Sequence, residues 1–184
     1  MPFWSDPGLE PKRQYKFLLE FPGNVAGLQS FLVKRADKPK FTVNAVQHDF
    51  LNHRFYYPGK LAWDPITLTV VDVAKKSAND GNASLALMEA IRNTGYVPPT
   101  KAPNLATAPN DPNAWTLSKD QSVTHGIGDL QIKTLDAKGI TVDIWKLKNA
   151  FMTSLEFGAL DYTVEDLVEI TITLQYDWAE LTAG

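Results

Sequence analysis

The sequence predicts a mainly β fold, an antiparallel β-sandwich or barrel with one flanking α-helix. Nine segments have the pattern of a strand, most of them through alternation of apolar and polar residues and others through β-branched content or a following turn signal. Helical spacing of apolar residues appears in one segment only. Alternation of this kind is typical of an antiparallel sheet with one buried and one wet face.

The predicted strands follow one another with recognisable turns. Pro22-Gly23 ends the first strand, Pro58-Gly59 ends the fourth, and residues 136–139 form a compact hairpin turn. The final strand has the cleanest alternation in the chain. In order, the predicted strands are residues 15–21, 30–35, 41–47, 53–57, 66–72, 129–135, 140–147, 151–157 and 167–176.

One helix is predicted after the fifth strand. Asp80 or Asn82 can cap its first turn, and Gly95 is a C-terminal stop. The helix has about three turns, so we expect it to pack on a sheet. Its predicted apolar face consists of Leu85, Met88 and Ile91.

A single domain, residues 14–180, is predicted between an N-terminal arm, residues 1–13, and a C-terminal tail, residues 181–184. Residues 97–122 contain five of the twelve prolines and three asparagines. Because proline fixes φ and lacks a donor, we expect a long loop here, without strand or helix. Large aromatic residues lie in the arm and in this loop, namely Phe3, Trp4 and Trp115.

The charges divide unevenly along the 184 residues. All 18 Lys and Arg lie at or before Lys148, with 14 acids, so residues 1–148 carry +4. Residues 149–184 carry seven acids and no Lys or Arg. Such segregation indicates either a solvated acidic hairpin or two parts that meet across an interface. The sequence shows neither a membrane-spanning apolar run nor a secretory signal pattern.

Residues that would support catalysis or cofactor binding are sparse. The chain has no cysteine, which excludes disulfides and thiolate chemistry. His48, Asp49 and His53 are close in sequence, but their spacing matches no helical zinc motif. We expect the two histidines to flank a turn and to serve an interface. No phosphate loop or nucleophile elbow occurs, so we predict a protein without enzymatic activity and without cofactor.

The succession of elements resembles the tail tube protein of contractile-tailed bacteriophages. The resemblance rests on residues 63–72 (WDPITLTVVD) before the single helix, on the turn 158–162 (GALDY), and on residues 169–178 (EITITLQYDW). It covers about residues 14–180. None of these motifs is catalytic, so the resemblance is one of fold.

This resemblance implies a structural protein of the virion tail, assembled in the host cytoplasm. Six copies would form a ring, and stacked rings would form a tube inside the sheath, the conduit for genome delivery. The implied partners are other copies, the sheath, the baseplate or tube initiator, the tail terminator, and the tape measure protein and DNA in the lumen. Exposed strand edges fit such assembly, because a closed ring removes them.

Two groups of residues follow as candidate sites. The polar face of the last strand is predicted to face the lumen as a wall with negative charge, unless Glu169 pairs with Lys133 or Lys146. That face consists of Glu169, Thr171, Thr173 and Gln175. The predicted contacts between subunits are Phe3, Trp4, Trp115, His48 and His53.

Other functions remain open at this point. The same architecture occurs in Hcp of type VI secretion, in injection particles and in tube-like baseplate proteins. A monomeric sugar-binding β-sandwich is another class, because exposed tryptophans stack on sugar rings. A hydrolase without a recognisable constellation is the third. The tryptophans available for a sugar are Trp4, Trp63, Trp115, Trp145 and Trp178.

Overall fold

The computed structural model describes residues 11–21, 28, 30–77, 81–96 and 117–184. Within them the chain is mainly β, as predicted, and every strand pair is antiparallel. A short 3₁₀ turn, Ser30–Leu32, precedes the second strand. The elements are β1 (Phe17–Glu20), β2 (Val33–Ala36), β3 (Phe41–Phe50), β4 (His53–Trp63), β5 (Ile66–Val71), α1 (Ala83–Asn93), α2 (Lys119–Thr124), β6 (Gly128–Leu135), β7 (Thr141–Glu156), β8 (Glu169–Gln175) and β9 (Trp178–Ala183).

Seven strands form the body of the domain in the order β1-β6-β7-β8-β5-β2, with β9 also paired to β7. The first half of β7 pairs with β6 and β9, whereas residues 151–156 pair with β8. Strand β7 therefore belongs to two half-sheets. The path ends at β1 and β2, so the described strands do not close into the predicted barrel.

Residues of both half-sheets and of α1 form one buried core. Alternate residues of β5, β6 and β8 are buried, which confirms the predicted strand periodicity. The alternating apolar residues of the final strand predict a buried face from Val168 to Tyr176; Ile170, Ile172, Leu174 and Tyr176 are buried, and Val168 is half-buried. The largest other side chains of the core are Leu19, Ile66, Leu68, Leu87, Ile127, Leu130, Ile132 and Leu147.

Helix α1 begins where its sequence predicts but packs through a different face. Asn82 caps it by accepting a 2.8 Å hydrogen bond from the Leu85 amide. The predicted face is wrong, because Leu85 is 46% exposed. Three of the four buried residues of α1 are alanines, so small side chains make most of its contribution to the core. The buried residues of α1 are Ala83, Ala86, Leu87 and Ala90.

A second helix corrects the prediction of a single one and shortens the predicted loop. Ser118 caps α2, since its hydroxyl accepts a 3.1 Å hydrogen bond from the Gln121 amide. The last proline of this region is Pro112, so nothing prevents a helix after it. Residues 97–116 of the predicted loop lie outside the described residues. Neither described helix has the length and apolar character needed to span a membrane.

Three strand boundaries also differ from the sequence prediction. Strand β4 continues through Pro58-Gly59, where a bulge replaces the predicted turn. The segments 140–147 and 151–157 are parts of one strand, β7. Most of residues 181–184, assigned to a tail, lie in β9, which pairs with β7.

Candidate assembly surfaces

The hairpin of β3 and β4 forms a separate two-stranded sheet outside the core. All ten residues of β3 are exposed, and so are all but the last of β4. A two-stranded hairpin alone is marginally stable in water. Its exposed large apolar side chains are Phe41, Val43, Val46, Phe50, Leu51, Phe55, Tyr56, Tyr57 and Leu61. Such a surface is typical of an interface.

The base of this hairpin is fixed to the core by aromatic contacts. The ring of Phe41 packs edge-on against Trp63, with centroids 5.3 Å apart. Trp63 in turn contacts the buried Tyr176 at 5.9 Å. The Asp64 amide donates a 3.0 Å hydrogen bond to the Lys40 carbonyl, which closes the base. The hairpin is thus anchored at one end and projects from the domain at the other.

The predicted contact residues His48 and His53 both lie near the tip of this hairpin. They flank the turn as expected, with His48 opposite Phe55 and His53 opposite Phe50. The His53 ring packs on Phe55 at 4.7 Å. Asp49 accepts a hydrogen bond of 3.1 Å from Arg54, so its carboxylate is occupied by a cation of the same hairpin. No group of metal-binding side chains occurs among the described residues.

Aromatic residues on both faces of this hairpin are the signal that sequence reasoning missed. Phe55, Tyr56 and Tyr57 are consecutive, so the apolar side chains cannot all face one side of a strand. Within the described residues both faces of this hairpin are exposed, so apolar side chains meet solvent on both. The predicted contacts Phe3, Trp4 and Trp115 lie outside the described residues.

The predicted polar face of β8 forms a ladder of hydroxyls with β5. Thr171 lies opposite Thr69, and Thr173 lies opposite Thr67. At one end, Glu169 forms an ion pair with Lys34 of β2. The hydrogen bond and charge of Glu169 raise the pKa of Lys34. Gln175 is half-buried and donates to the Trp63 carbonyl at 3.4 Å.

Glu169 therefore has a cationic partner, but a different one from those predicted. Lys133 instead pairs with Glu20 at 2.6 Å. The partner Lys34 was missed because β2 is distant in sequence and reaches β8 only across β5. The wall charge expected from Glu169 is offset by this lysine.

Two unlike strand edges bound the half-sheet β2-β5-β8-β7. Within the described chain, β2 pairs only with β5, and residues 151–156 of β7 pair only with β8. A cavity of about 470 Å³ lies beside the latter edge, between β7 and the two helices. Its apolar lining comes from Ile91, Leu117, Ile127, Met152 and Leu155, among others. Open edges of this kind add strands from another chain.

The described tryptophans do not form a sugar platform. Trp63 is packed between two aromatic rings at the hairpin base. Trp145 packs partly against the core. Trp178 is exposed, and its indole nitrogen donates a 3.0 Å hydrogen bond to Glu180. These three tryptophans therefore do not form a shared aromatic surface on which a sugar ring could stack.

Comparison with known proteins gives matches by structure. No protein-family model and no curated protein sequence matches the chain significantly. A chain of the cap that terminates the anti-feeding prophage (AFP) tube has a TM-score of 0.63 at 17% identity, covering 96% of this chain and 93% of its own. A chain of the AFP baseplate has a TM-score of 0.64 at 14% identity, covering 95% and 97%.

A third solved structure is the sheath–tube complex of PVC, an extracellular contractile injection system, in its extended state. One of its chains has a TM-score of 0.59 at 19% identity, covering 95% of this chain and 93% of its own. At such identities the shared feature is the fold. The fold class predicted from the strand succession is thereby confirmed. The chain has a fold that also occurs in chains of these AFP and PVC structures.

Proposed function

We propose that this protein is the structural subunit of a contractile-particle tube. Six copies form a ring, and rings stack inside a contractile sheath to make a hollow conduit. The observation that carries the proposal is the β3–β4 hairpin, whose exposed aromatic residues require a covering partner. The fold shared with AFP and PVC chains supports the same role.

The partners follow from that role. In a phage tail the conduit delivers the genome, and the lumen also holds the tape measure protein. The outer surface contacts the sheath, and the ends contact a baseplate or initiator and a terminator. The subunit acts by assembly, without catalysis, and is part of a particle built in the host cytoplasm. A tube of a type VI secretion or other injection system is the alternative.

The lumen wall in this proposal is the polar face of β8. Glu169, Thr171, Thr173 and Gln175 line it, with the threonines of β5 beside them. The face suits a wet wall because its side chains are hydroxyls, an amide and one ion pair. Close pairing of Glu169 with Lys34 makes this wall nearly neutral at that point, so cargo meets little fixed charge.

The test is assembly of the purified protein, by negative-stain electron microscopy and analytical ultracentrifugation. We expect rings or tubes from the natural sequence and their loss in Tyr56→Ser/Tyr57→Ser, with the fold retained by circular dichroism. Tyr96→Ser, an exposed tyrosine outside the hairpin, is the matched control and assembles normally. A strictly monomeric natural protein at high concentration would contradict the proposal.

A further inference from the structure

The tip of the β3–β4 hairpin carries an exposed leucine in a backbone conformation that leucine rarely adopts. Leu51 has φ of 54° and is 89% exposed. It is the first residue of the two-residue turn between β3 and β4, where a positive φ normally selects glycine. Strained residues of this kind cluster where a partner or ligand is held. Leu51 is therefore a candidate anchor for a partner.

The surroundings of Leu51 leave the tip apolar and well defined. Phe50, the preceding residue, is 60% exposed. Asp49 accepts hydrogen bonds of 2.8 Å from Gln47 and 3.1 Å from Arg54, so the two charges nearest the turn neutralise each other within the hairpin. A tip held by such bonds loses little conformational entropy when it docks.

The cavity between β7 and the two helices has the size and the character to receive this tip. A cavity of about 150 Å³ lined by apolar side chains takes a benzene ring, so about 470 Å³ has room for a phenylalanine ring and a leucine side chain. Lys119, the one charged residue among its described lining residues, already pairs with Asp177 at 2.6 Å. Its apolar lining residues are Ile91, Leu117, Ile127, Phe151, Met152 and Leu155.

The hairpin of the same subunit cannot fill this cavity. The hairpin ends at Trp63, and β5 begins at Ile66, which lies opposite Leu174 of β8. Leu174 in turn lies opposite Met152 in the cavity wall, so cavity and hairpin base are two strand spacings apart, about 10 Å. The ten residues of β3 hold the tip about 30 Å from that base. The tip therefore meets a different molecule.

The exposed apolar surface of the hairpin is large enough for a protein partner. At about 150–200 Å² for each fully exposed side chain, its nine large apolar residues leave roughly 900 Å² accessible. One partner contributes about 800 Å² to a standard protein interface. A second copy of this chain supplies both a surface of that size and an apolar cavity for the tip.

We propose that Phe50 and Leu51 at the hairpin tip of one copy insert into the cavity between β7 and the two helices of a second copy. The inference rests on the proposed function, because it names the receptor for the hairpin of the tube subunit. The edge of β7 at residues 151–156 borders the cavity, so its backbone can pair with the docked hairpin. Tip and cavity are unlike surfaces, so the contact is head-to-tail, and its repetition closes a ring or extends a filament.

Removal of the anchor side chain tests the donor side of this contact. Leu51→Gly keeps the turn, because glycine adopts this φ without strain. We expect it to raise the protein concentration needed for assembly about tenfold, because the burial of a leucine side chain is lost. Leu85→Ala, which truncates an exposed leucine outside the hairpin and the cavity lining, is the control and should assemble like the natural protein.

Filling of the cavity tests the receptor side. Ser122 lines the cavity from α2, so the ring of Ser122→Phe should occupy it and impair assembly about as much as Leu51→Gly. Asp120→Phe adds the same ring at an exposed position of α2 outside the lining, and should have little effect. Circular dichroism checks the fold of each variant. If Ser122→Phe does not fold, Leu51→Gly and crosslinking decide.

Crosslinking tests the contact without disturbing the cavity volume. Because the chain has no cysteine, Leu51→Cys/Ser122→Cys carries the only two thiols. A bismaleimide should give a ladder of covalent oligomers from the assembled sample. Lys138 lies in the turn at the far end of β6, so Leu51→Cys/Lys138→Cys should give little ladder.

The outcomes separate this contact from the tube proposal. A natural protein that never assembles overturns the tube and this contact together. A natural protein that assembles, with Leu51→Gly indistinguishable from Leu85→Ala, overturns only the docking of the tip. Assembled Leu51→Cys/Ser122→Cys that gives a band of monomer alone also overturns it and leaves the tube proposal standing.

Discussion

The side-chain amide of Asn149 donates a 2.7 Å hydrogen bond to Oδ2 of Asp177, at the point where β7 passes from one half-sheet to the other. Lys119 of α2 contacts the same oxygen at 2.6 Å. The Asp177 amide donates to the Lys148 carbonyl at 3.0 Å. One carboxylate thus joins β7, the connection between β8 and β9, and the second helix.

Substitution of Asn149 should destabilise the subunit through two separable effects. Asn149 has φ of 56°, a left-handed conformation that asparagine tolerates and alanine does not. Asn149→Ala should lower the free energy of unfolding by about 2 kcal/mol, from backbone strain and the lost hydrogen bond. Glycine adopts this φ without strain, so Asn149→Gly should lower the free energy of unfolding by only about 1 kcal/mol, from the lost hydrogen bond. Urea unfolding measures both, and equal losses would contradict the strain argument.

Stability should fall in acid partly through Asp177. The hydrogen bond from Lys119, with that from Asn149, holds the pKa of Asp177 below its ordinary value. The unfolded chain therefore binds the proton more readily, so this stabilisation is present at neutral pH. This stabilisation is lost as the pH falls below the ordinary pKa of an aspartate and through the lower pKa of Asp177 in the folded protein. Between about pH 6 and pH 3, limits set by ordinary carboxyl pKa values, the urea midpoint of Asp177→Asn should therefore fall less than that of the natural protein.

Lys119→Gln removes the main cause of that shift and serves as the matched variant. Its urea midpoint should also vary less with pH, although Asp177 is still present. If both variants show the same pH dependence as the natural protein, other carboxylates account for the loss of stability in acid.

Truncation of Leu85 and Leu87, two residues apart and on different sides of the helix, distinguishes the observed face of α1 from the predicted one. Leu87 is fully buried, so Leu87→Ala should cost about 2–5 kcal/mol of unfolding free energy. Leu85 is exposed, and Leu85→Ala should change stability by less than about 0.5 kcal/mol. Thermal unfolding of the two variants measures the difference. A larger loss at Leu85 would support the face predicted from the sequence.

The bulge in β4 should be intolerant of any side chain at Gly59. A β-carbon there would lie 2.7 Å from the Asn44 carbonyl oxygen, a backbone atom of the opposite strand. Gly59→Ala should distort the hairpin, speed amide hydrogen exchange in residues 41–63 and impair assembly. The free energy of unfolding should change by less than about 1 kcal/mol, because the hairpin lies outside the core. Lys60→Ala, the next residue, should leave exchange and assembly unchanged.

Much of the fold could be predicted because the buried strands carry a local signal. The alternation in β8 and the compact turn between β6 and β7 depend on neighbouring residues only, and both are confirmed. The face of α1 was missed because three of its four buried residues are alanines, whose weak apolar character gives little signal in the sequence. The 3₁₀ turn before β2 and the bulge in β4 were missed for a similar reason. Both depend on residues that are distant in sequence or that adopt an unusual backbone conformation.

The candidate surfaces were predictable only in part. The turn between His48 and His53 has a local signal, but the exposure of the hairpin arises because no other strand among residues 11–21, 30–77, 81–96 and 117–184 pairs with it. The uneven charge distribution became informative once the pairing was known. Asp177 and Glu169, from the acidic segment, pair with Lys119 and Lys34 of the same subunit.

Strand β7, which both half-sheets share, has a mechanical consequence. A pull on one half-sheet reaches the other through the covalent backbone of a 16-residue strand, not only through side-chain packing. Such a connection resists shear, because sliding the halves apart would require breaking the ladders on both sides of one strand. A domain built this way transmits a force on one half-sheet to the other through one continuous strand.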